Sequence, residues 1–145
     1  MSTVTTVGKL YLIDTSALAR SKHESVRTVI AGLIVDRAAA TCGTVDLEVG
    51  YSGRTHDEHT RTAERRRSLY VTLPMTQAVV ERAQDVQSRM SSRGQLRAAG
   101  IVDLLTAAVA EQHGAVVLHY DADFEHIAAV TGQPQLWIAP RGSLN

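Results

Sequence analysis

Residues 10–16 read Leu-Tyr-Leu-Ile-Asp-Thr-Ser, a short apolar run that ends in a carboxylate and two hydroxyls. The three residues before the acid favour a buried strand, because aromatic and branched side chains suit a pleated surface. Asp14 follows where the chain leaves that strand. Ligands of open α/β sheets bind at the carboxyl ends of the strands. The stretch therefore predicts a strand whose terminal acid either faces a functional crevice or only caps the next helix.

The composition is that of one globular domain spanning residues 1–145, with 44% hydrophobic and 21% charged residues. No apolar run approaches the roughly 20 residues that a membrane helix needs. The first residues lack the charged and apolar regions of a signal peptide, so we expect a cytoplasmic protein that does not contact membrane. A single cysteine, Cys42, excludes an internal disulfide framework and a cysteine-based zinc cluster.

Positive charge is concentrated in one region of a chain whose formal net charge is zero. Residues 54–97 hold nine arginines against five acids, whereas the whole chain has only two lysines. The guanidinium group suits bidentate contacts to phosphate or carboxylate. The region is therefore either a binding surface for such groups or a solvated helix face.

Apolar periodicity predicts strands that alternate with helices. We expect strands at 9–13, 71–73, 115–118 and 136–138, and either a strand or a connector at 38–41. We expect helices at 15–20, 24–36, 44–51, 57–70, 101–113 and 121–132, and one more after Thr76 that ends near 91–94. This alternation predicts an α/β fold with a mainly parallel sheet covered on both faces, between a loose tail at 1–8 and another at 140–145.

Asp103 is the one charged residue between positions 98 and 110. On a helix, Ile101 and Leu105 should share an apolar face, with Asp103 nearly opposite among small residues. Burying a carboxylate is costly unless it is paired or coordinates a cation. Asp103 therefore predicts either a metal ligand or a buried salt bridge to an arginine.

Three further acids occupy similar settings. Glu48 stands in an otherwise apolar segment, where Leu47 and Val49 predict a half-buried element, although an exposed glutamate is the alternative. Asp121 and Asp123 follow an apolar strand, and helix capping explains one of them better than two. The run is not an EF-hand loop, because the required glycine and glutamate positions hold other residues.

Acids on four separate elements could converge on one crevice, where they would need counter-charge. Oxygen ligands without cysteine or paired histidine select Mg²⁺ or Mn²⁺. One or two such ions would bind a phosphodiester, activate water and stabilise the leaving oxygen. The acids therefore predict metal-dependent phosphodiester hydrolysis.

These motifs together resemble the PIN-domain ribonucleases, and more narrowly the VapC toxins of bacterial toxin–antitoxin pairs. The resemblance covers essentially the whole chain and rests on Leu-Ile-Asp-Thr-Ser at 12–16, Glu48, Gly-Ile-Val-Asp-Leu-Leu-Thr-Ala-Ala at 100–108 and His-Tyr-Asp-Ala-Asp-Phe at 119–124. It implies a PIN-like three-layer α/β/α fold and an endoribonuclease toxin of a type II toxin–antitoxin system. A cognate antitoxin and a homodimer are also implied.

Carried over position by position, the resemblance assigns the catalytic acids Asp14, Glu48, Asp103 and Asp121. Of these, Asp14, Asp103 and Asp121 would hold Mg²⁺ or Mn²⁺. Ser16 matches a supporting hydroxyl, and Asp123 is close enough to compete for the fourth position. His119 departs from the pattern, since many relatives have threonine there. RNA backbone contacts are predicted for arginines of the positive region: Arg61, Arg65, Arg89, Arg93 and Arg97.

Other readings of the acids fit less well. A phosphoacceptor receiver would want a lysine after a late strand, and none follows Lys22. A phosphatase with an aspartyl nucleophile would want an acid where Ser16 stands. Zinc hydrolysis would need more than His56 and His59, which lie in a charged helix without a third ligand. The remaining alternative is a non-catalytic RNA- or protein-binding domain whose acidic pocket only receives a partner's arginine.

The resemblance also implies how an antitoxin would act. Its C-terminal segment would place an arginine among the acids, anchored by apolar residues in a neighbouring groove. We expect that groove to be formed by the helix around residues 26–33 and by the helix that carries Glu48.

Overall fold

The computed structural model describes residues 8–144. The predicted N-terminal tail at 1–8 lies outside this range except for Gly8, as does Asn145. No helix in the described part of the chain is long and apolar enough to cross a membrane.

Five strands form one parallel sheet in the order β3-β2-β1-β4-β5. This confirms the predicted α/β class, and the connector alternative at 38–41 is wrong because a strand lies there. The strands are β1 (Tyr11–Ile13), β2 (Ala39–Thr41), β3 (Val71–Thr72), β4 (Val116–His119) and β5 (Gln135–Trp137).

Seven helices of the described chain connect and cover the strands, and their positions agree with the prediction to within a few residues at each end. They are α1 (Thr15–Leu18), α2 (Glu24–Val35), α3 (Gly43–Tyr51), α4 (His56–Leu69), α5 (Gln77–Ser92), α6 (Ile101–Gln112) and α7 (Asp123–Thr131). Helix α5 begins as predicted, because the Thr76 side chain accepts a hydrogen bond from the Val79 N–H. Helix α7 begins two residues later than predicted, because Asp121 lies in the turn before it.

Strand β1 separates two hydrophobic cores. Tyr11 and Ile13 face α2, where Val26 and Leu33 are buried, while Leu12 faces a core built mainly from α5, α6 and α7. Alternate side chains of a strand point to opposite faces, so one three-residue strand contributes to both cores. The result is the predicted three-layer α/β/α arrangement.

The strand order reverses direction beside β1. From β1 the chain proceeds to β2 and β3 on one side, and β4 and β5 lie on the other. The Asp14 N–H donates to the Leu118 carbonyl at 2.9 Å, which extends the β1–β4 pairing to the carboxyl edge. Crevices at such a reversal are where open α/β sheets bind ligands.

Two apolar residues predicted to pack inward are exposed. Ile101, the first residue of α6, is 72% exposed, and the buried residues of that helix begin at Leu104. Leu47 is 76% exposed, because α3 is buried through Val45 on its opposite side. In both helices other residues form the buried side, so these two expectations were wrong.

Candidate active site

A cavity at the carboxyl edge of the sheet brings the four predicted acids together. Asp14 lies at the end of β1, Glu48 on α3, Asp103 in the first turn of α6 and Asp121 just after β4, and all four line the cavity. Four elements that are far apart in sequence therefore contribute one carboxylate each.

Asp14 is the most deeply buried of these acids, at 2% exposure. Its Oδ2 accepts a hydrogen bond from the Ser16 N–H at 3.0 Å, so the predicted capping role is real. Its Oδ1 is also buried but has no hydrogen-bond partner among the described residues. Burial, with smaller contributions from Glu48 and Asp121, raises the pKa of this carboxyl despite the Ser16 hydrogen bonds. Capping therefore accounts for only one of the two oxygens.

Asp103, Asp121 and Asp123 form the tightest group, with one carboxylate oxygen of each within 4.8 Å of the others. Backbone hydrogen bonds hold two of them. Asp121 Oδ1 accepts from the Asp123 N–H at 2.9 Å, and Asp123 Oδ2 accepts from the Gly100 N–H at 3.2 Å. Asp123 therefore lies close to the acids rather than only capping α7.

The pKa of Asp103 is raised from 3.8 to about 8. Burial is the largest cause, followed by hydrogen bonding with Asp123 and by the charges of Asp14, Asp121 and Asp123. Without a cation, the group of acids around Asp103 is therefore not fully ionised near neutral pH. The alternative of a buried salt bridge is not seen, since no ion pair of the described residues involves Asp103.

Helix α3 directs its two acids to different places. Glu48 accepts a hydrogen bond from the Thr15 hydroxyl at 2.7 Å, which ties it to the start of α1 beside Asp14. Asp46 instead pairs with Arg66 at 3.3 Å and accepts from the Thr41 hydroxyl. Glu48 is exposed rather than half-buried, because Leu47 and Val49 do not enclose it.

Ser16 connects the two strands that carry the site. Its hydroxyl oxygen accepts from the Tyr120 N–H at 2.9 Å, while its own N–H binds Asp14. Arg20 donates to the Ser16 carbonyl and lies over the Tyr120 ring at 4.7 Å. The supporting position predicted for Ser16 is thus next to both Asp14 and the Asp121 turn.

His119, which departs from the family pattern near the fourth acid, pairs with Gln135, for which the sequence predicted no role. His119 is fully buried at the end of β4, where its Nδ1 accepts from the Asp121 N–H at 3.1 Å and its Nε2 binds the Gln135 side chain. Burial lowers the pKa of His119, against the opposing effect of Gln135 and nearby acids. The available signal was a histidine in an otherwise apolar strand, two residues before an acid.

The donor set suits a hard divalent cation. The carboxylates supply oxygen ligands only, and neither cysteine nor a histidine pair competes, which favours Mg²⁺ or Mn²⁺ over zinc. The buried and unpartnered Oδ1 of Asp14 is an orphaned acceptor beside this group. The residues therefore fit a metal ion held by Asp103 and Asp121 together with Asp14 or Asp123.

The predicted RNA-binding arginines differ in their surroundings. Arg89 pairs with Asp85 at 3.0 Å, and Arg93 donates to the Ala129 carbonyl. Arg61, Arg65 and Arg97 are exposed, and no ion pair of the described chain includes them. None of the five lines the acidic cavity.

An apolar cavity adjoins the acidic one, and it is lined by the predicted helix α3 but not by α2. The α2 residues Val26, Ile30 and Leu33 are buried in the core and cannot line an open groove. The observed cavity lies between α1, α3 and the start of α6, and shares Thr15, Ala19, Glu48 and Val102 with the acidic cavity. Its other lining residues include Leu18, Leu47, Val49 and Tyr51.

Comparison with known proteins gives a consistent set of matches. A family model described as PIN domain matches residues 11–130. Ribonuclease VapC51 of Mycobacterium tuberculosis is 44% identical over 135 residues, covering 93% of this chain and 97% of the relative. Ribonuclease VapC21 of the same species is 42% identical, covering 92% of this chain and 96% of the relative.

Solved structures share the fold at low sequence identity. The DNA-bound VapBC structure from Salmonella typhimurium superposes with a TM-score of 0.74 at 15% identity, covering 90% of this chain and 99% of the other. VapBC2 from Rickettsia felis, bound to a promoter DNA fragment, gives 0.72 at 13% identity, covering 88% and 98%.

The raised pKa of Asp103 predicts a pH dependence of stability without metal. The folded-state pKa of Asp103 is about 8, and the ordinary value is 3.8. The contribution of its protonated carboxyl to the free energy of unfolding is therefore complete below pH about 4 and is lost as pH rises through about 8. In EDTA, the free energy of unfolding of the Asp103→Asn variant should therefore increase relative to that of the wild type as pH rises from about 5 to about 8. Urea titrations at several pH values measure this difference.

The matched control is Asp36→Asn, at an exposed aspartate just after α2. It should follow the wild-type pH profile. A constant difference between Asp103→Asn and the wild type across this pH range would contradict the assigned protonation.

Proposed function

The chain belongs to the PIN domain family and, within it, to the VapC ribonucleases, and from this membership we propose that it is a metal-dependent endoribonuclease toxin of a type II toxin–antitoxin system. One observation carries the proposal: acids from four elements converge on one open cavity. No arginine, lysine or histidine of the described residues lines this cavity. The substrate is RNA, cleaved at its phosphodiester bonds with Mg²⁺ or Mn²⁺.

The bound cation supplies charge neutralisation at the phosphate and a water of lowered pKa. Asp103, Asp121 and Asp14, which all line the cavity, would hold such a cation. Asp103 would hold the cation as a carboxylate, because carboxyl ligands of a metal are deprotonated. The Thr15 hydroxyl orients Glu48 at the rim of the cavity, where this carboxylate can accept a proton from the attacking water.

The non-catalytic alternative explains fewer observations. A pocket that only receives an arginine would also gather acids, but the 44% and 42% identical relatives are both ribonucleases by name. The alternative predicts no RNA cleavage under any metal condition, so it is distinguished by the experiment below.

Replacing an acid of the cavity should stop RNA cleavage without unfolding the protein. Asp14→Asn or Asp103→Asn should lower the rate by more than about 100-fold, since removal of even outer-shell partners of a metal costs about 10–100-fold. The measurement is cleavage of total cellular RNA with Mg²⁺, Mn²⁺ or EDTA, with the new ends mapped.

Asp36→Asn is the control, because this exposed carboxylate precedes β2 at the opposite edge of the sheet. It should cleave as the wild type does. Wild-type cleavage by either cavity variant, or undiminished cleavage in EDTA, would show that the assigned acids are not the metal site.

We propose that exposed arginines of the positive region contact the RNA backbone. Arg61 and Arg65 are one helical turn apart on the exposed side of α4, and their guanidinium groups are not committed to an ion pair within the described chain. Arg66, by contrast, is held by Asp46 and by the Thr41 hydroxyl. The proposal therefore concentrates on Arg61, Arg65 and Arg97, with Arg89 and Arg93 as weaker candidates because of their internal partners.

Alanine at a contacting arginine should weaken binding about equally for all RNAs, because phosphate contacts are independent of sequence. The slope of log affinity against log salt concentration should flatten by roughly one for each phosphate that is no longer neutralised. Binding of unrelated RNAs to Arg61→Ala and Arg65→Ala, made in an Asp103→Asn background to prevent cleavage, measures this. The control is Lys22→Ala, because Lys22 is an exposed cation outside the region. Unchanged slopes in all the arginine variants would indicate that these arginines form a solvated helix face that does not contact RNA.

The partner that we propose is a cognate antitoxin whose apolar segment occupies the cavity between α1, α3 and α6. Leu47 and Tyr51 are 76% and 92% exposed there, and Glu48 joins this surface to the acids. An arginine next to the apolar segment would reach the carboxylates and form bidentate hydrogen bonds. A structural neighbour from Klebsiella pneumoniae is described as a toxin–antitoxin complex, which supports a partner of this kind. A homodimer and a cytoplasmic location remain part of the proposal.

If the antitoxin arginine competes with the cation, inhibition should weaken as Mn²⁺ concentration rises. An antitoxin that lacks this arginine should still bind but inhibit less. Cleavage assays across a metal titration measure both effects. Inhibition that is indifferent to metal and to every arginine of the segment would leave simple occlusion of the RNA path as the explanation.

The docking surface is tested separately by Leu47→Ser, which should weaken antitoxin affinity by about tenfold if the residue is an interface anchor. Val35→Ser is the matched control, because Val35 is 80% exposed on α2, away from this cavity. Equal affinities of the two variants for the antitoxin would contradict the proposal that the antitoxin binds this surface.

A further inference from the structure

His119 is a fully buried histidine whose ring nitrogens both have partners. Its ring packs against Phe124 and Trp137, with centroid distances of 5.0 and 4.9 Å. The ring is therefore held in place by packing, and its hydrogen bonds have fixed directions.

The backbone decides which nitrogen carries the proton. The partner of Nδ1 is the Asp121 N–H at 3.1 Å, which can only donate. Nδ1 is therefore an acceptor, and the single proton of the ring is on Nε2. That N–H donates to Oε1 of Gln135, so the orientation of the Gln135 amide follows from the same constraint.

The hydrogen bonds continue from His119 into the acidic cavity. Asp121 Oδ1 accepts from the Asp123 N–H, and Asp123 Oδ2 accepts from the Gly100 N–H. Gly100 is the N-cap of α6, the helix that carries Asp103 in its first turn. One run of hydrogen bonds thus joins β5 to α6 through the turn that carries Asp121.

We propose that His119, oriented by Gln135, is a positioning residue that holds the Asp121 turn in the conformation that binds the cation. The inference rests on the proposed metal-dependent function. Without the Nδ1 acceptor, the Asp121 N–H loses its partner in a half-buried turn, and the carboxylate is no longer directed at Asp103. Such outer-shell partners typically change metal affinity by about 10–100-fold.

Two substitutions separate positioning from packing. His119→Phe keeps an aromatic ring beside Phe124 and Trp137 but removes the acceptor. His119→Asn removes the ring but restores an acceptor, since an asparagine side chain accepts from the N–H two residues later. Mn²⁺ affinity by calorimetry should fall about tenfold or more in His119→Phe and recover in His119→Asn. Thermal stability should show the opposite order, because His119→Phe retains the packing.

The tautomer is read directly in the metal-free protein by long-range ¹H–¹⁵N spectra of the imidazole. The wild type should show a protonated Nε2 and an unprotonated Nδ1. Gln135→Met, at a half-exposed position, should weaken this preference and lower Mn²⁺ affinity. His126→Asn, at an exposed histidine on α7, is the control and should bind Mn²⁺ as the wild type does.

The outcomes distinguish this inference from the proposed function. Wild-type Mn²⁺ affinity in His119→Phe, an Nδ1-protonated ring, or affinity that follows thermal stability through both variants would overturn the positioning role. If the wild type binds Mn²⁺ and Asp103→Asn does not, the metal site stands even when the positioning role fails. A wild-type protein that binds no Mn²⁺ would overturn both.

Discussion

Repulsion between carboxylates is the constraint on which the rest of this structure depends. The fold brings Asp14, Asp103 and Asp121 to one cavity, where burial strengthens the repulsion because little water screens it. Backbone N–H groups offset part of that cost, and incomplete ionisation of the acids offsets another part. A divalent cation offsets more of it, so the arrangement is stable in a way that depends on what the cavity binds. The acids destabilise the empty site and create affinity for the cation at the same time.

The sequence predicted the elements, and the placement of Asp14 and Asp121, from local signals, whereas Glu48 and Asp103 were matched to the site by resemblance to the family. Apolar runs such as 10–13 and 115–118 identify strands, and acids directly after them must lie at the carboxyl edge of a parallel sheet. Exposure was harder to predict. Ile101 and Leu47 have the periodicity of core residues, but the side of a helix that is buried depends on its tertiary packing. The hydrogen bond between His119 and Gln135 was also missed, because the proximity of the two side chains depends on the register of β4 against β5.

Charged residues that are close in sequence have different partners. Asp46 and Glu48 are two residues apart on α3, yet one is neutralised by Arg66 and the other faces the cavity with the Thr15 hydroxyl as its partner. Arg82 is likewise taken up by Glu111 and Asp85. A net charge of zero therefore conceals a molecule in which several arginines pair internally while the carboxylates of the cavity do not.

The pairing of β1 with β4 has a consequence for biosynthesis. Tyr11 is paired with Val116, so the central pair of strands closes a loop of more than a hundred residues. Loop closure over such a separation comes late in folding, because its entropic cost precedes the contacts that offset it. A chain still emerging from the ribosome can form α2 and its neighbours, but it cannot unite Asp14 with Asp103 until β4 has been synthesised. Each new copy of the chain therefore lacks the assembled acidic cavity until its own synthesis is nearly complete.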